Sequence, residues 1–406
     1  FGVAGRDSVN QQARVLPSQR IVESLKKQKI NAVFLETFDE ITDYLLRETQ
    51  KGDVILVMGA GDINALTPLL IKKLKNRENP PNPPYQGGHQ TPSLIREGRG
   101  GLLKNNESLS RHTQFQIGGP ARFFCVARTS VEIAQAALFA KSKKLPFFIL
   151  GKGTNTLVSD NGFPGLVIEN NTKGIEKQGR EIICASGEKL SFLVNFALKN
   201  KLAGLESLFG IPGTVGGAIF GNAGAFGASA SDHLLWVKFY DPAKNKIVKF
   251  TKKQCAFSYR ESIFKKNQGI ILEAGFGLAP DRDSRAIQEK VAKIKAVRSR
   301  HPYQNCAGSV FKNILMKDRQ SLNASKAPAA CRQRDEIKVA CLIENLGLKG
   351  KTIGGAQISG KHANFIVNKK NAKARDVLAL IAFAQEKVYK EYGIVLETEI
   401  QMVGFK

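Results

Sequence analysis

Apolar positions follow two different periods along this 406-residue chain, and the change of period divides it. Between residues 1 and 76, stretches with apolar residues at helical spacing, "RIVESLKKQ", "FDEITDYLLRETQ" and "LTPLLIKKLK", alternate with short apolar runs, "NAVFLE" and "DVILVM". Short apolar runs between amphipathic helices read as buried strands, and strands joined by helical crossovers pair in parallel. An N-terminal α/β fragment with parallel strands is therefore predicted over 1–76. Residues 77–101, rich in Pro, Gly and polar side chains, read as a linker. From 102 onward short β-like runs are punctuated by glycine, with helices predicted near 130–144, 188–200, 284–300 and 373–392. That texture predicts an α+β architecture of more than one lobe. Residues 316–338, "MKDRQSLNASKAPAACRQRDEIK", carry no period and read as a surface insertion.

Charge sharpens the division. The formal net charge is +26, and residues 1–100 hold 14 Lys+Arg against 11 Asp+Glu, leaving 47 against 24 for the rest. Such an excess steers anions, whether phosphorylated small molecules, lipid or nucleic acid. No basic stretch interleaved with aromatics, no helix-turn-helix and no zinc spacing accompanies it, so nucleic acid is not expected as a partner. The six cysteines, at 125, 184, 255, 306, 331 and 341, are scattered without a CxxC pair. Neither a metal site nor a disulfide framework is predicted, and a reducing compartment fits. No apolar run reaches the roughly 20 residues of a membrane span, so no membrane insertion is expected. The chain begins at Phe1 rather than Met, which leaves any upstream segment open.

Five stretches could carry chemistry. "FFILGKGTNTLVSD" places Gly151, Gly153, Thr154 and Asn155 directly after an apolar strand. Small residues there expose backbone N–H groups that could cradle a pyrophosphate, or simply make a tight turn. The spacing is not GxGxxG and no helix follows, which disfavours a Rossmann-type dinucleotide site. "GIPGTVGGAIFGNAGAFG" (210–227) holds seven glycines in eighteen residues, too many for an ordinary helix or strand. Backbone lying against a flat ligand, or a loop packed on another loop, would account for it. "FSYRESIFK" (257–265) alternates, so Tyr259 and Arg260 are predicted inside a strand, with Arg260 either an anion clamp or a surface cation. "VLETEIQMVG" sets Glu397 and Glu399 on one face of a terminal strand. In "NCAGSVFKN" (305–313), Ser309 lacks the G-x-S-x-G elbow, and the histidines at 89, 112, 233, 301 and 362 show no hydrolase spacing. A hydrolase is not expected.

Taken in order, "HTQFQIGGPARFF", "LGKGTNTLVSD", "GLESLFGIPGTVGGAIFGNAGAFG", "SYRESIFK", "AGSVFKN", "IGGAQISGKHANFIVN" and "YGIVLETEIQMVG" resemble the UDP-N-acetylenolpyruvoylglucosamine reductase family, flavoenzymes of peptidoglycan precursor synthesis. The likeness runs from about 102 to 406. It implies a two-lobed FAD-binding domain of the vanillyl-alcohol-oxidase/PCMH type over 102–283 and a C-terminal α+β substrate domain over 284–406, interrupted by the insertion. It further implies that NADPH reduces FAD, and that hydride then passes to the β-carbon of the enolpyruvyl ether of a UDP-sugar to give UDP-N-acetylmuramate. By the same resemblance Ser309 is the proton donor, with Arg260 and Glu399 flanking the developing enolate. Gly151, Lys152, Gly153, Thr154, Asn155, Ile211, Pro212, Gly213, Gly216, Gly217, Asn222, Ala223, Gly224 and Ala225 would line FAD. Tyr259 and Asn313 would contact substrate, and Arg300 would stand where the family carries a lysine. Only 49 positions separate Arg260 from Ser309, which implies the shorter of the family's two classes.

Residues 46–66, "LRETQKGDVILVMGAGDINAL", resemble the C-terminal end of the UDP-N-acetylmuramate:L-alanine ligase. That implies the tail of a ligase–reductase fusion, cytoplasmic, with functional coupling between the two portions. A flavin oxidase of the same superfamily, or a flavin-binding scaffold for the ligase, is the alternative.

Overall fold

The computed structural model describes residues 103–267, 269–316, 325–333 and 335–405, together with 2–3, 27, 33–34, 40–41 and 44–45. The chain divides into two compact units, Phe1–Gln86 and Gly87–Lys406. In the first, strand β1 (Gly2–Val3) pairs in parallel with β2 (Val33–Phe34), and residues 27, 40–41 and 44–45 are helical. The strand predicted at 53–58, the helix at 66–75 and the linker lie outside the described residues.

The second unit opens with a mixed sheet built from β3 (Lys104–Ser108), β4 (Pro120–Ala127), β5 (Phe147–Leu150) and, beyond β6 (Thr156–Val158), β7 (Phe163–Asn170). Its strand order is β3-β4-β7-β5, with β4, β7 and β5 mutually parallel. Alternation in β7 does what a two-residue period should: Leu166 and Ile168 pack on helix α1 (Ser130–Ser142), while Val167 faces Phe124, Leu150 and Val158 on the other side. Both faces are thereby covered, which is why the strand reads as a continuous apolar run.

A second lobe is an antiparallel sheet of β8 (Ile175–Gln178), β9 (Glu181–Ala185), β10 (Leu234–Asp241), β11 (Lys246–Thr251) and β12 (Ile270–Gly277), in the order β11-β10-β12-β9-β8. Helix α2 (Leu190–Lys199) covers it. The glycine-rich stretch departs from expectation: Val215–Phe220 is a short helix, α3, whose N-terminus is capped by the Thr214 side chain accepting from Gly217 N–H. A cap and burial of Val215, Ala218 and Ile219 outweigh the roughly 1 kcal/mol that each helical glycine costs.

Beyond α4 (Ser284–Arg298), the C-terminal part has its own core around α5 (Val339–Asn345) and α6 (Ala374–Tyr392). That core also takes in Phe115, Ile117 and Leu157 from the first lobe. The junction is sealed by the last strand, β13 (Gln401–Val403), which pairs in parallel with β6, Gln401 opposite Thr156.

The insertion is not solvent loop throughout. Residues 317–324 lie outside the described ones, but Ile314–Leu315, Glu336–Ile337 and Arg332–Gln333 form a small antiparallel sheet. Ala327, Cys331 and Ile337 are buried in the C-terminal core. Against the cysteine expectation, Cys331 is disulfide-bonded to Cys341, ten residues on. The spacing hid this pair because the fold, not the sequence motif, brings the first turn of α5 over the insertion. Cys125, Cys184, Cys255 and Cys306 are buried thiols; burial pushes Cys125 up to about 12 and Cys255 up to about 11, so they are poor nucleophiles. Peptide mapping without reductant should recover Cys331 and Cys341 in one linked fragment, and the Cys331→Ser/Cys341→Ser variant should lose about 2–3 kcal/mol for a loop of this length. Recovery of both as free thiols with unchanged stability would contradict the pairing.

Candidate active site

The lobes and the C-terminal part enclose a cleft of about 1120 Å³, at or above the volume usual for a large cofactor. Two glycine segments form its walls. After β5, residues 151–155 turn sharply. Gly153 has φ +59°, and a Cβ there would lie 2.5 Å from the His112 carbonyl oxygen, so only glycine fits. A Cβ on Gly151 would lie 2.8 Å from Thr214 Oγ1 at the start of α3, so the two segments face each other at backbone distance. The N–H groups of Lys152, Gly153, Thr154 and Asn155 donate to no acceptor among the described residues, and all four residues line the cleft. Uncommitted donors of this kind fit a diphosphate-bearing cofactor such as FAD.

The pairing of β13 with β6 places the catalytic candidates. Asn155 O accepts from Gln401 N–H at 2.9 Å and Asn155 Nδ2 donates to Glu399 O at 3.2 Å, so the segment ending in Glu399 lies against the glycine turn. Glu399 N–H donates to Val310 O at 2.7 Å, and Phe311 bridges Thr398. Ser309 and Glu399 are thus set by one backbone ladder. Gly308, before the serine, has φ +74° with nothing nearer its Cβ position than 3.8 Å; conformation alone demands glycine there.

Arg260 arrives from the second lobe, and not on a strand as predicted. Ser258 and Glu261 exchange both backbone hydrogen bonds at 3.1 Å around the two-residue turn Tyr259–Arg260. Arg260 itself is left-handed at φ +57°. The alternation was real, but strand pairing stops where the chain must reverse. Arg260 Nη2 donates to Gly224 O at 2.8 Å and Nε lies 2.6 Å from Glu399 Oε1, both side chains about one-fifth exposed. The Nε–Glu399 contact is a close ion pair without an aligned hydrogen bond. Burial holds the Glu399 carboxyl above its ordinary range, the Arg260 charge pulling the other way.

Of the residues expected to line the cleft, Arg260, Ser309, Glu399, Gly151–Asn155, Ile211–Gly213, Gly216, Gly217 and Ala223–Ala225 do so. Lys152 turns its ammonium 3.3 Å from Glu169, whose other oxygen holds His112. Asn222 is buried and structural: its amide donates to Ser258 O and accepts from Ser231 N–H. Tyr259, Asn313 and Arg300 lie off the cleft wall. Tyr259 Oη accepts from Asn313 N–H, and the Asn313 amide donates to Glu336 and accepts from Val339 N–H, so the loop closed by the disulfide occupies it fully. Two residues before Arg300, Arg298 does line the cleft; its Nε is buried without a hydrogen-bond partner among the described residues and its guanidinium stands over Phe226. Helical period could have found it: Arg298 falls one turn after Ile294, the buried residue of α4, whereas Arg300 lies past the helix end. Lys312, three residues after Ser309, also lines the cleft.

At the cleft's edge His301, His362 and Phe365 meet edge-on or tilted, with ring centroids 4.8–5.4 Å apart. Burial, then the facing His301 and Lys349 charges against the opposing Glu344, pulls His362 down to about 4. An unfolded histidine titrates near 6.5, so as pH falls below that value the unfolded chain takes the proton first. The stability held at neutral pH is then lost progressively down to about pH 4. His362→Gln should flatten the dependence of melting temperature on pH between these limits; an unchanged slope would contradict the assignment.

Comparison with known proteins bears on this arrangement. The profile of the UDP-N-acetylenolpyruvoylglucosamine reductase C-terminal domain matches residues 300–403, and that of an FAD binding domain matches 121–251. The chain is 36% identical to the UDP-N-acetylenolpyruvoylglucosamine reductase of Caldanaerobacter subterraneus, over 77% of this chain and 96% of that protein. It is 36% identical to the enzyme of that name from Solibacter usitatus, over 73% and 95%. The crystal structure of UDP-N-acetylenolpyruvylglucosamine reductase from Thermus caldophilus superposes with TM-score 0.60 at 30% identity, covering 74% of this chain and 99% of that one.

Proposed function

The chain belongs to the UDP-N-acetylenolpyruvoylglucosamine reductase family, and on that footing we propose that it reduces UDP-N-acetylglucosamine enolpyruvate to UDP-N-acetylmuramate with NADPH and bound FAD. The observation that carries the reading is the convergence of Arg260, Glu399 and Ser309 on one glycine-walled cleft. FAD, when bound, would supply the hydride chemistry that couples NADPH oxidation to reduction at the enolpyruvyl β-carbon. Residues 151–155 would hold the cofactor by backbone N–H groups, with 211–217 as the facing wall of the cleft.

Hydride addition leaves negative charge on the α-carbon and its carboxylate. Fixed positive charge in a water-poor cleft stabilises that charge most in the transition state. Arg260, fixed by Gly224 O and Glu399, is the group that answers it, and Glu399 fixes the guanidinium's direction. Ser309 gives its hydroxyl proton to the α-carbon. A serine is a weak acid, but an enolate carbon is a stronger base than any side chain in the cleft, so no activating base is needed. Arg298 is the counter-charge for a diphosphate entering the cleft. The same reading takes in the shorter class of the family, a cytoplasmic setting, and residues 46–66 as the tail of a coupled alanine-adding ligase. The motif resemblance and the 49-position spacing support these. No helix among the described residues is long and apolar enough to cross a membrane.

The purified chain should be yellow, and NADPH loss should require the enolpyruvyl substrate; oxygen-dependent turnover with a simple alcohol would favour an oxidase instead. Ser309→Ala should leave flavin reduction by NADPH within about twofold while slowing reoxidation by substrate by about 10²–10⁴-fold, and equal slowing of both steps would count against a proton donor. Arg298→Ala should weaken substrate binding by about 10- to 100-fold, the worth of a charged hydrogen bond, against less than about twofold for the off-cleft Arg300→Ala. The reverse order would return the role to Arg300.

A further inference from the structure

The backbone ladder that fixes Ser309 against Glu399 does not reach Arg260, which sits on a turn from another lobe. Its left-handed backbone is unfavourable by about 1 kcal/mol or more for a residue with a Cβ, so something must hold the turn in place. Within its own lobe, Lys265 Nζ donates to Arg260 O at 2.6 Å and Asn222 Nδ2 to Ser258 O at 2.8 Å; two further side-chain ties, one on either side of Arg260, reach across to the segment that follows Ser309. Before it, Tyr259 Oη accepts from Asn313 N–H at 3.1 Å. After it, Glu261 Oε1 lies 3.1 Å from Lys312 Nζ. The same ammonium lies 3.3 Å from Glu397 Oε2, and Lys312 N–H donates to Glu397 O at 2.9 Å. Lys312 follows Ser309 by three residues, Glu261 follows Arg260 by one, and Glu397 precedes Glu399 by two. One ammonium thus touches each of the three segments that carry the proposed catalytic side chains, and it is less than one-fifth exposed.

We propose that Lys312 is a positioning residue for the reduction: it locks the Arg260 turn to the Ser309–Glu399 ladder and thereby sets the distance between the anion clamp and the proton donor. This rests on the reductase reading. Burial pulls the Lys312 ammonium toward neutrality, but its hydrogen bonds to Glu261 and Glu397 outweigh burial and raise it above its ordinary value, so the ammonium is charged at neutral pH. Lys265, four residues beyond Glu261, also reaches that carboxylate at 3.3 Å, yet it belongs to the same lobe as the turn and cannot anchor it to the ladder.

The experiment compares Lys312→Met, Glu261→Gln, their double variant and Lys312→Arg in the flavin-loaded full chain by stopped-flow absorbance, with hydrogen–deuterium exchange over residues 257–263. Loose placement of reacting groups slows chemistry by up to about 100-fold. Each single change to Met or Gln should therefore slow flavin reoxidation by about 10- to 100-fold, with substrate KM within about threefold and flavin reduction by NADPH unchanged. The double variant should be no slower than the worse single, exchange at the turn should rise, and Lys312→Arg should restore most of the rate. A raised KM with reoxidation unchanged would make Lys312 a substrate contact and overturn the proposal, as would normal reoxidation in Glu261→Gln. Should Lys312→Met fail to fold, Glu261→Gln and Lys312→Arg decide alone. Wild-type enzyme that is reduced by NADPH but not reoxidised by substrate would remove the reductase reading itself, while the exchange data would still report whether the tie exists.

Discussion

Parallel pairing of the last strand, Gln401–Val403, with Thr156–Val158 is the constraint on which the site depends. It carries the end of the chain back into the first lobe, so that Glu399 lies against the glycine turn after Leu150 and Val310 lies against Glu399. Residues distant in sequence become neighbours through backbone hydrogen bonds, which are short, directional and independent of side-chain identity. Phe115, Ile117 and Leu157 pack into the C-terminal core from the lobe on the other side of that pairing, so burial of apolar surface and registration of the site are the same event.

The remaining component, Arg260, depends on weaker means. Its turn is tied by a phenol, an ammonium and the ion pair with Glu399, none of which belongs to a sheet. A cleft between lobes gains from this division. The 151–155 wall and Ser309 sit on backbone pairing, while Arg260 sits on a turn whose strained conformation is kept by its neighbours. The charge excess in residues 101–406 acts at longer range, since a cation-rich molecule attracts anionic ligands.

Much of this was legible in the sequence because it follows local rules. Helical spacing located α1, α2, α4 and α6 within a few residues, the apolar run before Gly151 read as a strand and is β5, and glycine density marked the two segments that wall the cleft. The ordered motifs gave Arg260, Ser309 and Glu399. What was not legible depends on tertiary partners. The helix at Val215–Phe220 needs a Thr214 cap and a buried face to overcome its glycines. Tyr259 and Asn313 carry the right polar groups, yet the fold turns those groups on each other and on Glu336 and Val339. Arg298 and Arg300 are chemically equal in sequence; only the end of α4 decides which faces the cleft. Cys331 and Cys341 meet because the insertion folds under α5, and no motif announces that.

The central claim is that substrate reduction ends in proton delivery from Ser309 into an Arg260-stabilised enolate, a step separate from cofactor reduction. The most direct measurement is the solvent deuterium isotope effect on each half-reaction of the flavin-loaded chain, followed by flavin absorbance in single turnover. A normal effect on reoxidation by the enolpyruvyl substrate, with none on reduction by NADPH, is the predicted result. Equal effects on both steps, or an effect on reduction alone, would contradict it.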